Sequence, residues 1–275
     1  MADKVTLSAA VRSNLLTLQS TQGLIDTTQT NLSTGLRVNS ALDDAAAFFA
    51  ASGLNNRADD LSGLKDNIDQ SISAIEAAIN GIEAITELVE QAKGLAITSK
   101  ATSDTNERSA LAVQFNSLLT QIDSLANDAS FGGTNLVQGT PDNLTVTFNE
   151  DGTSTLTVAG IDSSTGTGGI NVAVATNAFL NDSDIDGAIT QVNNAISTLR
   201  TNAATLGSNA SVLNTRLQFT KELSNTLEAG AGKLTLADLN EESANLLALQ
   251  TRQQLGINSL SLAAQSERSI LGLFG

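Results

Sequence analysis

Residues 61–96 read LSGLKDNIDQSISAIEAAINGIEAITELVEQAKGLA, and in them Leu61, Ile68, Ile75, Ile82, Val89 and Ala96 recur at every seventh position. Leu64, Ile72 and Ile79 flank that row. An α-helix turns once in 3.6 residues. A sustained seven-residue repeat therefore keeps its apolar stripe on one face only if helices wind around each other. The spacing predicts a single rod-like helix from about residue 44 to residue 100, roughly 85 Å long at 1.5 Å per residue.

The same period runs outward from this stretch in both directions. Toward the N-terminus, Val11, Leu18, Ile25 and Leu32 are seven apart, with Leu7 and Leu15 nearby. Downstream, Leu111, Phe115, Leu118, Ile122, Leu125 and Ala129 alternate steps of four and three. A fourth stripe extends from Ile185 and Ile189 through Val192, Ile196, Leu199 and Leu206 to Leu213 and Leu217. The last carries Leu236, Leu239, Leu246, Ile257, Leu260, Leu271 and Phe274. Four pairs place an oxygen acceptor ahead of a carboxylate where helices should begin: Ser40/Asp43, Asp104/Glu107, Ser183/Asp186 and Thr235/Asp238.

Between residues 131 and 180 the pattern changes. Pro141, the only proline, lies here among Gly, Thr and Ser. Leu144–Phe148 alternates apolar and polar, Asp151-Gly152 supplies a turn, and Thr153–Val158 alternates again, which predicts a hairpin. The fold expected is mainly α. It is a long antiparallel helical bundle or coiled coil, with paired terminal helices and a small β-hairpin insertion. Residues 1–40 with 236–275 should form one domain, a terminal-helix coiled coil, and 41–235 a rod-like second domain including the insertion.

Charge separates the same regions. The chain carries −15 overall, but residues 1–40 sum to +1 and residues 236–275 to −2, so the acid lies between them. Near-neutral amphipathic ends suit burial, and an acidic middle suits water. Each terminal stripe alone exposes more apolar surface than a solitary soluble helix tolerates, so the two most simply pair. Nucleic acid is excluded as a partner, because phosphate contacts need a basic surface. No membrane span is expected, since the longest apolar run is Ala45–Ala51. Nor is a cleavable signal peptide expected, since no basic start followed by an apolar run is found.

Chemistry is poorly supported. With no His, Cys, Tyr or Trp, the acid pairs Asp43/Asp44 and Asp59/Asp60 have none of the usual catalytic partners. Asp182, Asp184, Asp186 and Gly187 imitate the start of a calcium loop, but its twelfth position, Asn193, lacks the bidentate carboxylate. Gly230-Ala-Gly-Lys233 has Leu227 where a phosphate loop needs its first glycine, so it is taken as a helix-ending glycine pair. No catalytic residue, metal site or cofactor is expected.

The run Asn31-Leu-Ser-Thr-Gly-Leu-Arg-Val-Asn-Ser-Ala-Leu-Asp-Asp-Ala-Ala46 resembles the N-terminal signature of bacterial flagellins. Phe131–Leu136 is similar to the turn after that family's second rod helix, and Glu242–Gly256 with Ser269–Phe274 to its terminal helix. The likeness covers about 1–136 and 180–275 and is closest in style to short alphaproteobacterial flagellins without large outer domains. It implies a non-enzymatic subunit that polymerises with itself or sibling flagellins into the extracellular flagellar filament. It further implies unfolded secretion through the flagellar export apparatus, a chaperone, a hook–filament junction and a filament cap. Filament-core packing is expected from Leu7, Val11, Leu18, Ile25 and Leu32 against Leu246, Ile257, Leu260, Leu271 and Phe274. Gly35, Arg37, Asn39, Ser40, Asp43 and Asp44 fall at the hinge between inner and outer layers, with Arg37 paired to an acid. The rival reading is a chemoreceptor-like coiled-coil signalling hairpin or another structural helical protein.

Overall fold

The computed structural model describes residues 9–271. Five helices dominate: α1 Ala9–Thr34, α2 Ala45–Ala101, α3 Thr105–Asp128, α4 Asp182–Thr235 and α5 Leu239–Leu271. Between α3 and α4 come β1 Ser130–Phe131, β2 Thr134–Asn135, β3 Leu144–Thr147 and β4 Thr155–Val158. The chain divides into two compact units, one of Met1–Asn56 with Thr226–Gly275 and one of Arg57–Asn225. The mainly helical class with a small antiparallel hairpin is what the sequence predicts. At 57 residues α2 also has the length expected.

In the unit of residues 57–225, the seven-residue row of α2 is the core. Ile68, Ile75, Ile82, Val89 and Ala96 are at most 1% exposed. α4 contributes Ile185, Val192, Leu199, Leu206 and Leu213 to the same cluster, all fully buried. α3 adds Phe115, Leu119, Ile122 and Ala126, whereas Leu118 and Leu125 are only half-buried. A four-three alternation is satisfied by two adjacent rows that share Phe115 and Ile122, and the one that turns inward adds Ala112, Leu119 and Ala126.

The caps correct the sequence reading. Asp104 does cap α3, accepting from Asn106 N at 2.8 Å. At α2 the cap is Asp44, whose Oδ1 accepts from Ala47 N at 3.0 Å, while Ser40 and Asp43 build the preceding turn. α4 opens after Asn181, with Ser183 already inside it, and α5 opens after Asp238, with Thr235 still in α4. Serine, threonine and aspartate all accept from an N–H, so spacing finds the start only to within a few residues. Gly230 and Gly232 likewise lie within α4 instead of ending it.

The start of α4 explains its acid cluster. Asp182 accepts from Arg108 Nη2 at 2.7 Å, Asp184 from Asn177 and Asn181 at 3.0 Å, and Asp186 pairs with Lys100. Arg108 is nearly buried and also donates to the carbonyls of Thr102 at 2.7 Å and Leu180 at 3.1 Å, joining α3 to the entry of α4.

The insertion begins as a cap on α3. Asn135, 4% exposed, donates through Nδ2 to Ala126 O and Asn127 O, and its Oδ1 accepts from the N–H groups of Val137 and Gln138. β3 and β4 pair antiparallel from Leu144↔Val158 to Thr147↔Thr155. Their connection is longer than a two-residue Asp-Gly turn. Asn149 Oδ1 takes Ser154 N at 2.9 Å, and Gly152 sits at φ +68°. Arg57 Nε donates to Glu150 at 2.7 Å. Backbone hydrogen bonding first, and then Arg57, hold the Glu150 carboxyl below the usual glutamate range.

One glycine marks close helix contact. A Cβ on Gly81 of α2 would stand 2.6 Å from Ala129 Cβ, a group that cannot swing away, whereas Gly94 on the same helix faces open space. Alanine raises helix propensity at either site by about 1 kcal/mol. Overpacking at 81 costs about 1–3 kcal/mol. Thermal melts followed by circular dichroism should therefore show Gly94→Ala raising the midpoint and Gly81→Ala lowering it. The same sign at both positions contradicts the close approach.

Candidate assembly surface

The unit of residues 1–56 and 226–275 is organised around the loop after α1. That helix stops because Gly35 turns left-handed at φ +72°, its N–H reaching Asn31 O at 2.8 Å. The chain then runs beside the link between α4 and α5. Arg37 N and Val38 N both donate to Thr235 O, at 2.7 and 3.2 Å, and Ala237 N donates to Gly35 O at 3.0 Å. Asn39 Nδ2 reaches Asn31 Oδ1 at 3.3 Å and Leu36 O at 3.1 Å, and Asn31 in turn donates to Glu242 at 2.9 Å. Asp43 Oδ2 accepts from Asn39 N, Ser40 N and Ser40 Oγ, closing the turn.

All six residues read as a hinge thus fall in this connection. Among the described residues Arg37 pairs with no acid. Its Nη2 donates to Leu234 O at 3.1 Å, where the last carbonyls of α4 present the negative end of a helix. A cation is satisfied there without a carboxylate.

α1 packs along α5 in antiparallel register. The protected residues of α1 are Val11, Asn14, Leu18, Thr21, Ile25, Thr28 and Asn31–Leu32. Those of α5 include Glu242, Leu246, Leu249, Gln253, Gly256, Leu260 and Ala263, in alternating steps of four and three, with Ala264 beside the last. Gln253 Nε2 donates to Gln22 Oε1 at 2.6 Å. A Cβ on Gly256 would stand 2.8 Å from Leu18, so glycine lets the helices close there.

Of the residues expected in this seam, Val11 and Ile25 are buried, and Leu18, Leu32, Leu246 and Leu260 are half-buried. Ile257 is not in it. At 47% exposure it lies to one side, because the alternating steps select Gly256. Leu7 and Phe274 lie outside the described residues, as does the side chain of Leu271.

Hydropathy missed the polar half of the seam. Thr21, Thr28 and Asn31 are at most 7% exposed, while large leucines point away from the partner helix. Leu16, Leu247, Leu255 and Leu262 are 64–68% exposed. At about 100° per residue, Leu247, Leu255 and Leu262 project across the axis of α5 from α1. Leu15 and Leu24 flank α1 at 40% and 48% exposure. A groove lined by Leu24, Thr28, Asn245, Ala248, Leu249 and Arg252 runs along the pair. The signal was present in the sequence: α5 carries leucines at both 246 and 247, so more than one of its faces is apolar.

Such a pair has hydrogen bonds inside and unsatisfied apolar surface outside, an arrangement suited to association and not to catalysis. Comparison with known proteins agrees. The family described as "Bacterial flagellin N-terminal helical region" matches residues 6–142, and "Bacterial flagellin C-terminal helical region" matches residues 187–274. Flagellin FljK of Caulobacter vibrioides is 33% identical over 99% of this chain and 98% of its own. Flagellin FljM of the same organism is 34% identical over 94% of each chain. A flagellin of Brucella melitensis is 32% identical over 100% of this chain and 99% of its own.

Proposed function

The chain belongs to the bacterial flagellin family, and from that premise we propose that its terminal helices drive polymerisation into the flagellar filament. It is a structural subunit and not an enzyme, of the short alphaproteobacterial kind. The observation that carries the assembly reading is the outward leucine face of the α1–α5 pair, four of whose members are about two-thirds exposed. Copies packed side by side would bury that face. Because the contacting surfaces of neighbouring copies differ, addition need not close into a ring.

In this reading residues 1–40 with 236–275 form the inner layer and 41–235 the outer one. Gly35, Arg37, Asn39, Ser40, Asp43 and Asp44 set the angle at which the chain passes between them. Val11, Leu18, Ile25, Leu32, Leu246 and Leu260 hold the inner pair together, and Ile257, exposed to one side of it, belongs to contacts between copies. Partners are other copies or sibling flagellins, together with the export apparatus, a chaperone, the hook–filament junction and the filament cap. Absence of cysteine is compatible with secretion as an unfolded thread. Among the described residues no helix is long and apolar enough to cross a membrane.

The test replaces Leu247, Leu255 and Leu262 together by Gln. Each leucine would lose roughly 1–2 kcal/mol of burial on assembly, and every 1.4 kcal/mol is a tenfold change in affinity. The triple variant should keep parental helicity yet need at least about a hundredfold higher concentration to form filaments in salt, as counted by electron microscopy. Filaments at the parental concentration would overturn the reading.

A further inference from the structure

Outside the α1–α5 pair, the most exposed large apolar side chain is Leu42, at 97%. It is not on a loose loop, because the Asp43 carboxylate binds Asn39 N and Ser40 N, and Leu42 N itself donates to Ser40 Oγ at 3.3 Å. Phe49 stands on the first turns of α2 at 65% exposure, its ring edge-on to Phe48 at 5.6 Å. Exposed Ala45, Ala46, Ala50 and Gly53 surround it, so nothing bulky hinders approach. The result is an apolar knob held in place before any partner arrives, so little ordering entropy opposes its docking. Residues 38–56 include Asp43 and Asp44 and no cation.

A complementary surface occurs on α4. Val212 and Phe219, 45% and 56% exposed, are one heptad apart, with Arg216 on the same face and half-buried Leu223 continuing the stripe. Asn214, Thr215, Gln218 and Glu222 edge a shallow groove beside Phe219. From residue 187 to residue 225 this helix carries Arg200, Arg216 and Lys221 against the single acid Glu222, a net +2 within a chain of net charge −15. Arg216 lies 5.0 Å from the Phe148 ring centroid and forms no ion pair among the described residues.

We propose that the Leu42–Phe49 knob of one subunit docks on the Val212–Phe219 stripe of a second copy, with Asp43 and Asp44 facing Arg216. This contact rests on the filament reading and adds to it a specific outer junction. Opposite charge selects the pairing and aligns it, and apolar burial supplies the affinity. The two patches are different surfaces of the same chain, so each bound copy presents a free knob or stripe to the next.

The absence of native cysteine makes the test direct. A Leu42→Cys/Phe219→Cys variant, assembled into filaments and treated with a short bismaleimide, should give a covalent ladder of dimers, trimers and longer chains. Either single variant should give none, and neither should the double variant as dilute monomer. Filaments without a ladder overturn this contact and leave the filament reading intact. Dimers from a single variant overturn it too, because they mean a symmetric contact. If the unaltered chain forms no filaments, the filament reading falls and the contact with it. Independently, Leu42→Glu should raise the concentration needed for assembly about tenfold, the equivalent of one lost leucine burial. An unchanged value overturns the proposal.

Discussion

A chain trimmed of residues 1–40, or of residues 236–275, is expected to remain monomeric at concentrations where the full chain polymerises, while keeping most of its helix. The two outcomes come from separate parts of the molecule. Residues 57–225 hold a continuous apolar cluster in which Ile75, Ile85, Phe115, Ile122, Leu199 and Leu213 are fully buried without any residue of α1 or α5. Nothing in that cluster depends on the ends, so cooperative melting should survive the deletion.

Assembly should not survive. Removing α1 exposes the α5 seam at Leu246, Leu249 and Leu260 in addition to Leu247, Leu255 and Leu262, and removes Leu15, Leu16 and Leu24 from the surface offered to neighbours. A helix of that kind without its antiparallel partner is marginal in water. Several leucine burials per subunit, at roughly 1.5–3 kcal/mol each, would be lost at once. That is far more than the tenfold per 1.4 kcal/mol that a raised concentration can restore. Electron microscopy after salt-induced nucleation, with circular dichroism on the same sample, checks both halves. Long fibres grown from either trimmed chain would mean that the ends are dispensable.

How much of this could be read beforehand depends on what each residue was asked to do. Ile68 through Ala96 announced themselves, because a buried seven-residue row admits only apolar side chains and water rejects them. Thr21, Thr28 and Asn31 did not. They too are buried, and two of them meet hydrogen-bond partners, Thr21 on Thr17 O and Asn31 on Glu242. Hydropathy has no term for a satisfied hydrogen bond. Gly256 was unreadable for a related reason: its role is the room it leaves for Leu18, a property of two helices at once. Arg108 carries no local signal of its role, since its three acceptors lie as far along the chain as Asp182. The residues of the family signature from 35 to 44 lie between α1 and α2, where Arg37 meets the carbonyl of Leu234 and not the acid expected.

Phe179 should be the costliest single residue to truncate, and glycine should be a better replacement there than alanine. Its ring is fully buried and meets Phe115 edge-on at 5.2 Å and 67°. Removing such a ring leaves a cavity worth about 3–5 kcal/mol. The backbone adds the unusual part. Asn177, Ala178 and Phe179 are all left-handed, at φ 46°, 53° and 60°, just before α4 begins. A residue with a Cβ is disfavoured there by roughly 1–2 kcal/mol, and asparagine, whose amide here reaches Asp184, is the one of the three that tolerates it. Burial of the Phe179 ring is large enough to impose that conformation. Phe179→Ala forfeits the ring and keeps the strain, whereas Phe179→Gly forfeits the ring and releases it. Greater freedom of glycine in the unfolded chain offsets part of the gain, by about 0.4–1 kcal/mol. The glycine variant should therefore be the more stable by up to about 1 kcal/mol, the reverse of the order expected where φ is negative. With no Trp or Tyr to report, urea titrations followed by far-ultraviolet circular dichroism are the suitable measurement. An alanine variant at least as stable as the glycine one would show that the turn into α4 is not wound left-handed.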